Sequence, residues 1–479
     1  MSGSTRRAAA PFVSAVFMAG SVARWHGPYA MARLLQFLAL ALASLALMAR
    51  PAFAQQILRD AETEAFMADM SAPLVKAAGM EPRNVQVLVI NDPEINAFVA
   101  GGQYVWVHSG LIAQADNVNQ LQGVVAHELG HIEGGHIIRS GEGIKEATGI
   151  TLLSLVLGAA AIAGGAGEAG MGLMGLGQQA AMSKFLAFSR AQESSADLAG
   201  ARYLHTAGIS GRGSLEFFKK LQNQEYRLAI PQDNSYGRTH PLSGERIQVL
   251  REVYEPDPAW NRPSDPYLEK RFERIKAKLI GFASEPQQTL IKYPESDQSI
   301  PAHYARAYAW HKSAYPDRAL AETDALLAAL PHDPYFLELK GQILLESGKP
   351  KEAIAPLREA VKLTNQPLIS TLLAHALIAS EDEANFAEAE QVLRLAVQRD
   401  RENPFAWYQL GVVYERRGDT PRAALATAER YSMIGQDQMA LRSADAAMQG
   451  LKPGTVDYLR AQDIAMVSRA AIEQQRKKR

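Results

Sequence analysis

The sequence predicts an α+β domain followed by an all-α solenoid, and three observations lead there. Residues 85–108 hold short β-branched and aromatic runs broken by Gly101-Gly102, between segments of helical periodicity. From about residue 300 onward helix follows helix, with no strand-like run. In that second part Ala319, Ala353, Ala389 and Ala423 recur at steps of 34, 36 and 34 residues, a period that marks stacked supersecondary units. A chain of 479 residues is also too long for one core and calls for two or three units.

Residues 1–54 read as an address rather than a fold. From Met31 the chain runs MARLLQFLALALASLALMARPAFAQQ. Arg33 supplies a positive start, residues 34–48 an apolar core, and Ala52-Phe53-Ala54 a small-x-small cleavage site. The expectation is an exported chain cleaved near Ala54, with Met31 as its true start. Lysine plus arginine (50) balances aspartate plus glutamate (51), so the charge calls for no nucleic acid. The absence of cysteine excludes a disulfide, a thiolate metal site and a cysteine nucleophile together.

The elements follow in order. Residues 58–78 have helical periodicity up to Gly79, a natural helix stop. Residues 85–90, 96–100 and 104–108 read as strands, the last two joined by the Gly-Gly turn. A helix starting near Asp116 or Asn119 carries NQLQGVVAHELGHIEGGHII. Residues 147–167 and 169–183 are uncharged and rich in alanine, glycine and leucine, which predicts a lid-like or membrane-touching helical hairpin. Residues 184–205 return to an amphipathic helix, and 245–254 form another. Proline-rich turns then close a first domain at 55–265, with a helical linker over 266–299 and repeats over 300–479. Leu337, Gly341, Leu344, Ala353, Leu357 and Ala360 in one repeat, and Trp407, Gly411, Tyr414 and Ala423 in another, fit the tetratricopeptide pattern. Stacked pairs of this kind make a curved solenoid with a concave binding face.

His127-Glu128-Leu129-Gly130-His131 carries the chemistry. Residues four apart share a helix face, so both imidazoles can address one metal ion, with Glu128 placed to take a proton from a water. A catalytic zinc needs a third protein ligand. His136 falls five residues after His131, where the long His-His-His motif needs six, and Glu133 lies on another face. Glu193 is the better candidate, with Asp197 one turn later to orient a ligand imidazole. By spacing alone these two carboxylates fit a solvated face paired with Arg190 or Arg202 equally well.

HELGH followed about sixty residues later by SRxxExxAD resembles the gluzincin peptidases of the HtpX and CAAX-prenyl-protease superfamily. A signal peptide, this domain and a C-terminal tetratricopeptide array together resemble the BepA-type (YfgC-type) periplasmic peptidases over essentially the whole mature chain. The resemblance implies an α+β zincin-like metallopeptidase domain ahead of the solenoid. It implies one zinc ion held by His127, His131 and Glu193, with Glu128 as general base. It further implies that His240, in Thr239-His240-Pro241, can close the zinc as a fourth ligand. The strand leading to Asn96-Ala97-Phe98 matches the family's strand leading to Asn-Ala-Phe. An edge strand over 96–100, with Asn96, Ala97 and Phe98 as its substrate-binding residues, is expected to hold an extended peptide by β-augmentation.

The function expected is a zinc-dependent endopeptidase of the cell envelope, in the periplasm. It would cleave misfolded or stalled outer-membrane proteins, with clients or the outer-membrane assembly machinery bound by the repeats. Peripheral membrane contact is expected through 147–183. The rivals are a periplasmic chaperone or scaffold whose zinc is structural or latent, and an integral membrane protease. An intact Glu128 argues against a structural zinc, which has no use for a base. Carbonate extraction of membranes separates the third reading from the others.

Overall fold

A computed structural model describes residues 56–163, 166–228, 240 and 244–478. The leader, its cleavage site, the Met31 start, Thr239 and Pro241 lie outside the described residues.

β1 (Gln56–Leu58), β2 (Gln86–Asn91), β3 (Ala97–Ala100) and β4 (Tyr104–His108) form one sheet in the order β1-β2-β4-β3. β2 and β4 are parallel, while β1 and β3 run antiparallel to their neighbours. β3 is therefore an edge strand of the sheet. The turn before β4 uses Gly101 and Gly102 at φ 70° and 99°, the left-handed region that glycine enters without strain. β1 has no signature of its own; three residues are too short for a period.

The sheet packs on α1 (Ala61–Ala77) and α3 (Val118–Glu133), with α2 (Ser109–Gln114) between β4 and α3. Phe66, Met70 and Leu74 of α1, Val89 and Val107 of the sheet, and Leu121, Val124 and Val125 of α3 are buried in one core. Each such side chain contributes roughly 1.5–3 kcal/mol. α3 starts one residue after Asn117, whose side chain accepts from the Gln120 amide. It does not run on to His136: Gly134 and Gly135, the latter at φ 60°, end it, and α4 (His136–Ala163) starts afresh.

α4 and α5 (Gly167–Ala207) form the expected hairpin. The amphipathic stretch 184–205 is not a separate helix, because α5 runs unbroken through 41 residues. No proline or turn sequence interrupts it, and packing on α4 compensates for its glycines. α6 (Arg212–Leu228) and α7 (Gly244–Tyr254) complete the cover over α3 and α5.

α8 (Pro266–Ala283) and α9 (Pro286–Lys292) lead to the repeats. Phe272, Ile275 and Leu279 of α8 belong to the N-terminal core. Arg274 of the same helix bridges Glu62 and Asp333 at 2.7 Å each, and Tyr304 donates to Glu62 at 2.7 Å. One helix thus ties both halves together through buried charge.

Beyond it, five antiparallel pairs stack as tetratricopeptide-like units: α10 (Ile300–Lys312) with α11 (Pro316–Ala329), α12 (Pro334–Glu346) with α13 (Pro350–Thr364), α14 (Pro367–Ala379) with α15 (Phe386–Arg399), α16 (Pro404–Arg416) with α17 (Thr420–Met433), and α18 (Asp437–Gly450) with α19 (Val456–Lys478). Ala319, Ala353, Ala389 and Ala423 each lie buried in the second helix of a pair. The 36-residue step has a visible cause: a 3-10 turn, Glu383–Asn385, is inserted between α14 and α15.

Candidate metal centre

Close helix crossing builds the site. A Cβ on Gly130 would lie 2.6 Å from the Ala196 carbonyl oxygen, and one on Gly200 would lie 3.1 Å from Ala126. α3 and α5 therefore meet backbone against backbone. That approach sets Glu193 and Asp197, one turn apart on α5, beside His127 and His131, one turn apart on α3. His240 enters from the far side.

Donor atoms of His127, His131, Glu193 and His240 all lie within 4.8 Å of one another, and all four residues are buried. His127 Nε2 is 3.1 Å from His131 Nε2 and 3.3 Å from His240 Nδ1. Glu193 carboxylate oxygens are 3.4 Å from each of the first two rings and 3.1 Å from His240 Nδ1. A tetrahedral ion with ~2.0–2.1 Å bonds has ligand–ligand edges of about 3.3 Å. The residues fit a small N/O-liganded cation.

Charge points the same way. Burial alone would lower the His127 imidazole, yet Asp197 and Glu193 push it up to about 10. Burial and the charge on His127 push His131 down to about 2. Glu193 falls well below the usual carboxylate range: burial opposes this, but hydrogen bonds with His127 and His240 prevail. The pocket's carboxylates hold a positive charge on His127 while His131 stays neutral, and a divalent ion would supply that positive charge in place of the proton. Glu128 is fully buried, and neither of its carboxylate oxygens has a hydrogen-bond partner among the described residues. His240 Nε2 lies 3.5 Å from Oε1 of this carboxylate. A buried orphan carboxylate of this kind marks room for a water or substrate group.

Asp197 does not pair with Arg190 or Arg202. Its Oδ1 is 2.9 Å from His127 Nδ1, the arrangement that fixes a ligand tautomer. Arg202 instead pairs with Glu133. His136 Nδ1 lies 2.9 Å from His131 Nδ1, so it supports that ring from outside the cluster.

Arg246 was not anticipated. Its Nε and Nη2 grip Asp197 at 2.7 and 2.9 Å, and its Nη1 reaches Glu193 at 3.1 Å. A signal existed: Arg246, Leu250 and Tyr254 recur every four residues on α7, so this arginine occupies the apolar stripe. Arg246→Ala leaves two buried carboxylates under-compensated. We expect a stability loss of about 3–5 kcal/mol, seen as a lowered thermal midpoint, with Arg246→Lys recovering part of it. A midpoint unchanged in Arg246→Ala would show that the carboxylates do not need this partner.

A cleft of about 320 Å³ opens over the cluster between β3 and the hairpin base, with Phe98, Val99, Ile137, Phe185 and Phe188 in its walls. Asn96 and Ala97 are buried at the start of β3. His240 Nε2 lies 3.2 Å from the Ala97 carbonyl oxygen, where it donates when protonated. Phe185 and Phe188 open the stretch read as an amphipathic helix just past the lid-like 147–183, and that periodicity did not assign them to a cleft.

Residues 58–254 match the model described as Peptidase family M48. The chain is 26% identical over 394 residues to the β-barrel assembly-enhancing protease of Escherichia coli (strain K12), covering 81% of this chain and 79% of the relative. It is 32% identical over 179 residues to metalloprotease LoiP of the same strain, covering 37% of this chain and 65% of the relative. Among solved structures it is similar to YrrB, a TPR protein with an unusual peptide-binding site, at 18% identity and TM-score 0.31, covering 36% of this chain and 91% of that one.

Proposed function

The chain carries a metalloprotease domain of peptidase family M48, and on that footing we propose that it is a zinc endopeptidase of the cell envelope acting on misfolded or stalled proteins. The observation that carries the chemistry is the four-residue cluster with the unpartnered Glu128 carboxylate beside it. His127, His131 and Glu193 would hold zinc, which when bound polarises a carbonyl and lowers the pKa of a water to about 7. Glu128 takes the proton from the attacking water and delivers it to the leaving amine. Asp197 holds the His127 tautomer, and Arg246 holds Asp197. β3 pairs with an extended peptide over 96–98, and Phe98 and Val99 wall its path. Zinc analysis together with proteolysis of an unfolded protein, comparing the parent with Glu128→Gln, tests this reading.

The envelope setting rests on the leader-like residues 1–54 and on the relative that spans most of the chain. That relative's name supports outer-membrane proteins as clients, with the solenoid binding them or the outer-membrane assembly machinery in the periplasm. The same proposal divides the chain into 55–265 for catalysis, 266–299 as a helical brace and 300–479 for binding.

His240 is proposed as a latch. Its ring approaches His127, Glu193, Glu128 and the Ala97 carbonyl at once, so it occupies both the water's place and the peptide's edge. His240→Ala should raise basal proteolysis of an unfolded substrate several-fold with zinc retained. A large loss of activity with zinc retained would instead make this imidazole a catalytic donor and end the latch.

A further inference from the structure

Among the described residues, none covers the outer part of the α4–α5 hairpin. On α4, Leu152, Leu153, Leu155, Val156 and Leu157 are 45–67% exposed. At 100° per residue they sweep every side of the helix except that of Ser154. Ser154 faces α5, where a Cβ on Gly177 would lie 1.9 Å from its own Cβ. Gly158 and Gly170 make the next close contact along the seam. On α5, Met171, Leu173, Leu176 and Met182 are exposed on the sides away from α4. The hairpin thus exposes apolar side chains on several sides, and Gly158, Gly170 and Gly177 let its helices touch.

A protein partner covers one face and leaves a polar one, whereas apolar surface on several sides with a small-residue seam suits hydrocarbon. The polar groups agree. Thr151 and Ser154 turn their hydroxyls onto backbone carbonyls of their own helix, Ala147 and Thr151, at 3.0 and 2.8 Å. Charge stops at one level, where Lys184 pairs with Glu146 at 3.5 Å and Lys145 adjoins them. Between 147 and 183 the sequence has one ionisable side chain, Glu168, at the tip. Beyond Ser154, α4 extends nine residues to Ala163, about 14 Å at 1.5 Å per residue, which is close to half of a ~30 Å hydrocarbon core. Gln178 and Gln179, on α5 beside that level, fall in the headgroup zone.

We propose that the hairpin dips into one leaflet of a lipid bilayer and so sets the catalytic cleft at the membrane surface. Phe185 follows Lys184 directly, and Phe185, Phe188 and Ile137 wall the cleft. Its mouth therefore opens just below the charged level. The substrate is then an extended polypeptide lying at, or leaving, the bilayer surface. This second step rests on the peptidase reading above; the insertion itself does not.

The test uses the full mature chain with vesicles of phosphatidylethanolamine and phosphatidylglycerol in a flotation gradient. The parent should float, and Val156→Asp/Leu176→Asp should stay at the bottom. Both positions are 67% exposed, so the fold tolerates the charges, and circular dichroism with equal cleavage of a soluble unfolded protein checks this. Leu157→Trp should be quenched by lipids brominated on their acyl chains, beyond any quenching of the parent. An unfolded substrate tethered to the vesicles should be cleaved several-fold faster than the soluble one by the parent, and not by the double variant. A parent that stays at the bottom overturns the proposal. So does a double variant that still floats, and so does self-association of the parent that the same two substitutions abolish, which would assign the surface to a second copy. If neither chain cleaves the soluble protein, the peptidase reading has failed, and flotation still decides the hairpin.

Discussion

Glu128→Gln leaves the chain folded and zinc-loaded and lowers turnover of an unfolded substrate by about 10²–10⁴-fold, the usual contribution of a positioned acid–base group. The substitution keeps side-chain volume and removes only the capacity to take a proton. Burial pushes the Glu128 carboxyl above its ordinary value, with His240 and His127 opposing, which moves a base toward the neutral range where it works best. Neither oxygen has a hydrogen-bond partner among the described residues, so no hydrogen bond to them is lost in the swap. Stability should stay within about 0.5 kcal/mol, as for substitutions that break no defined interaction. Proteolysis at the parental rate, with zinc present, would place the base elsewhere. Loss of zinc in this variant would mean that Glu128 supports the metal rather than the proton transfer.

Glu193→Ala has the second large effect, and it acts on the metal. Its carboxylate lies against His127, His131 and His240 and takes a 3.1 Å contact from Arg246. Removing it strips the cluster of the anion that compensates a divalent charge and leaves the Arg246 cation among imidazoles. Zinc content after dialysis against a mild chelator should fall from about one per chain to a small fraction of that, and proteolysis should fall with it. Restoring zinc in excess should recover the parent but not the variant. The variant should also melt lower, because bound metal stabilises the folded state by mass action. Equal zinc retention in parent and Glu193→Ala would show that the third ligand is another group.

Much of this was legible because it depends on local periodicity. The spacing of His127 and His131 on one helix face, the Gly-Gly turn before β4 and the alanine period of the repeats are all properties of short windows. The resemblance, carried by HELGH and SRxxExxAD, favoured Glu193 over the solvated-face reading that spacing left open and added His240; the distances of both in sequence from His127 contain no spatial information. The helix break after Glu133 was missed because the periodic run through IEGGHII outweighed the glycine pair in the reading, although Gly135 at φ 60° decides it.

Sequence alone thus determined the catalytic helix, the repeat architecture, the absence of thiol chemistry and the apolar character of residues 147–183. Only the tertiary structure decided which carboxylate faces which imidazole, because that depends on α3 and α5 crossing closely enough at Gly130 and Gly200 to bring their side chains within 3.4 Å. It also decided that Arg246 neutralises Asp197, and that α8 serves both the catalytic core and the solenoid. The hairpin shows the division most clearly. Composition says that it is apolar, but whether apolar surface is core or contact depends on what covers it. Here the fold covers its base, where Phe185 and Phe188 wall the cleft, and leaves Leu152, Val156 and Leu176 bare.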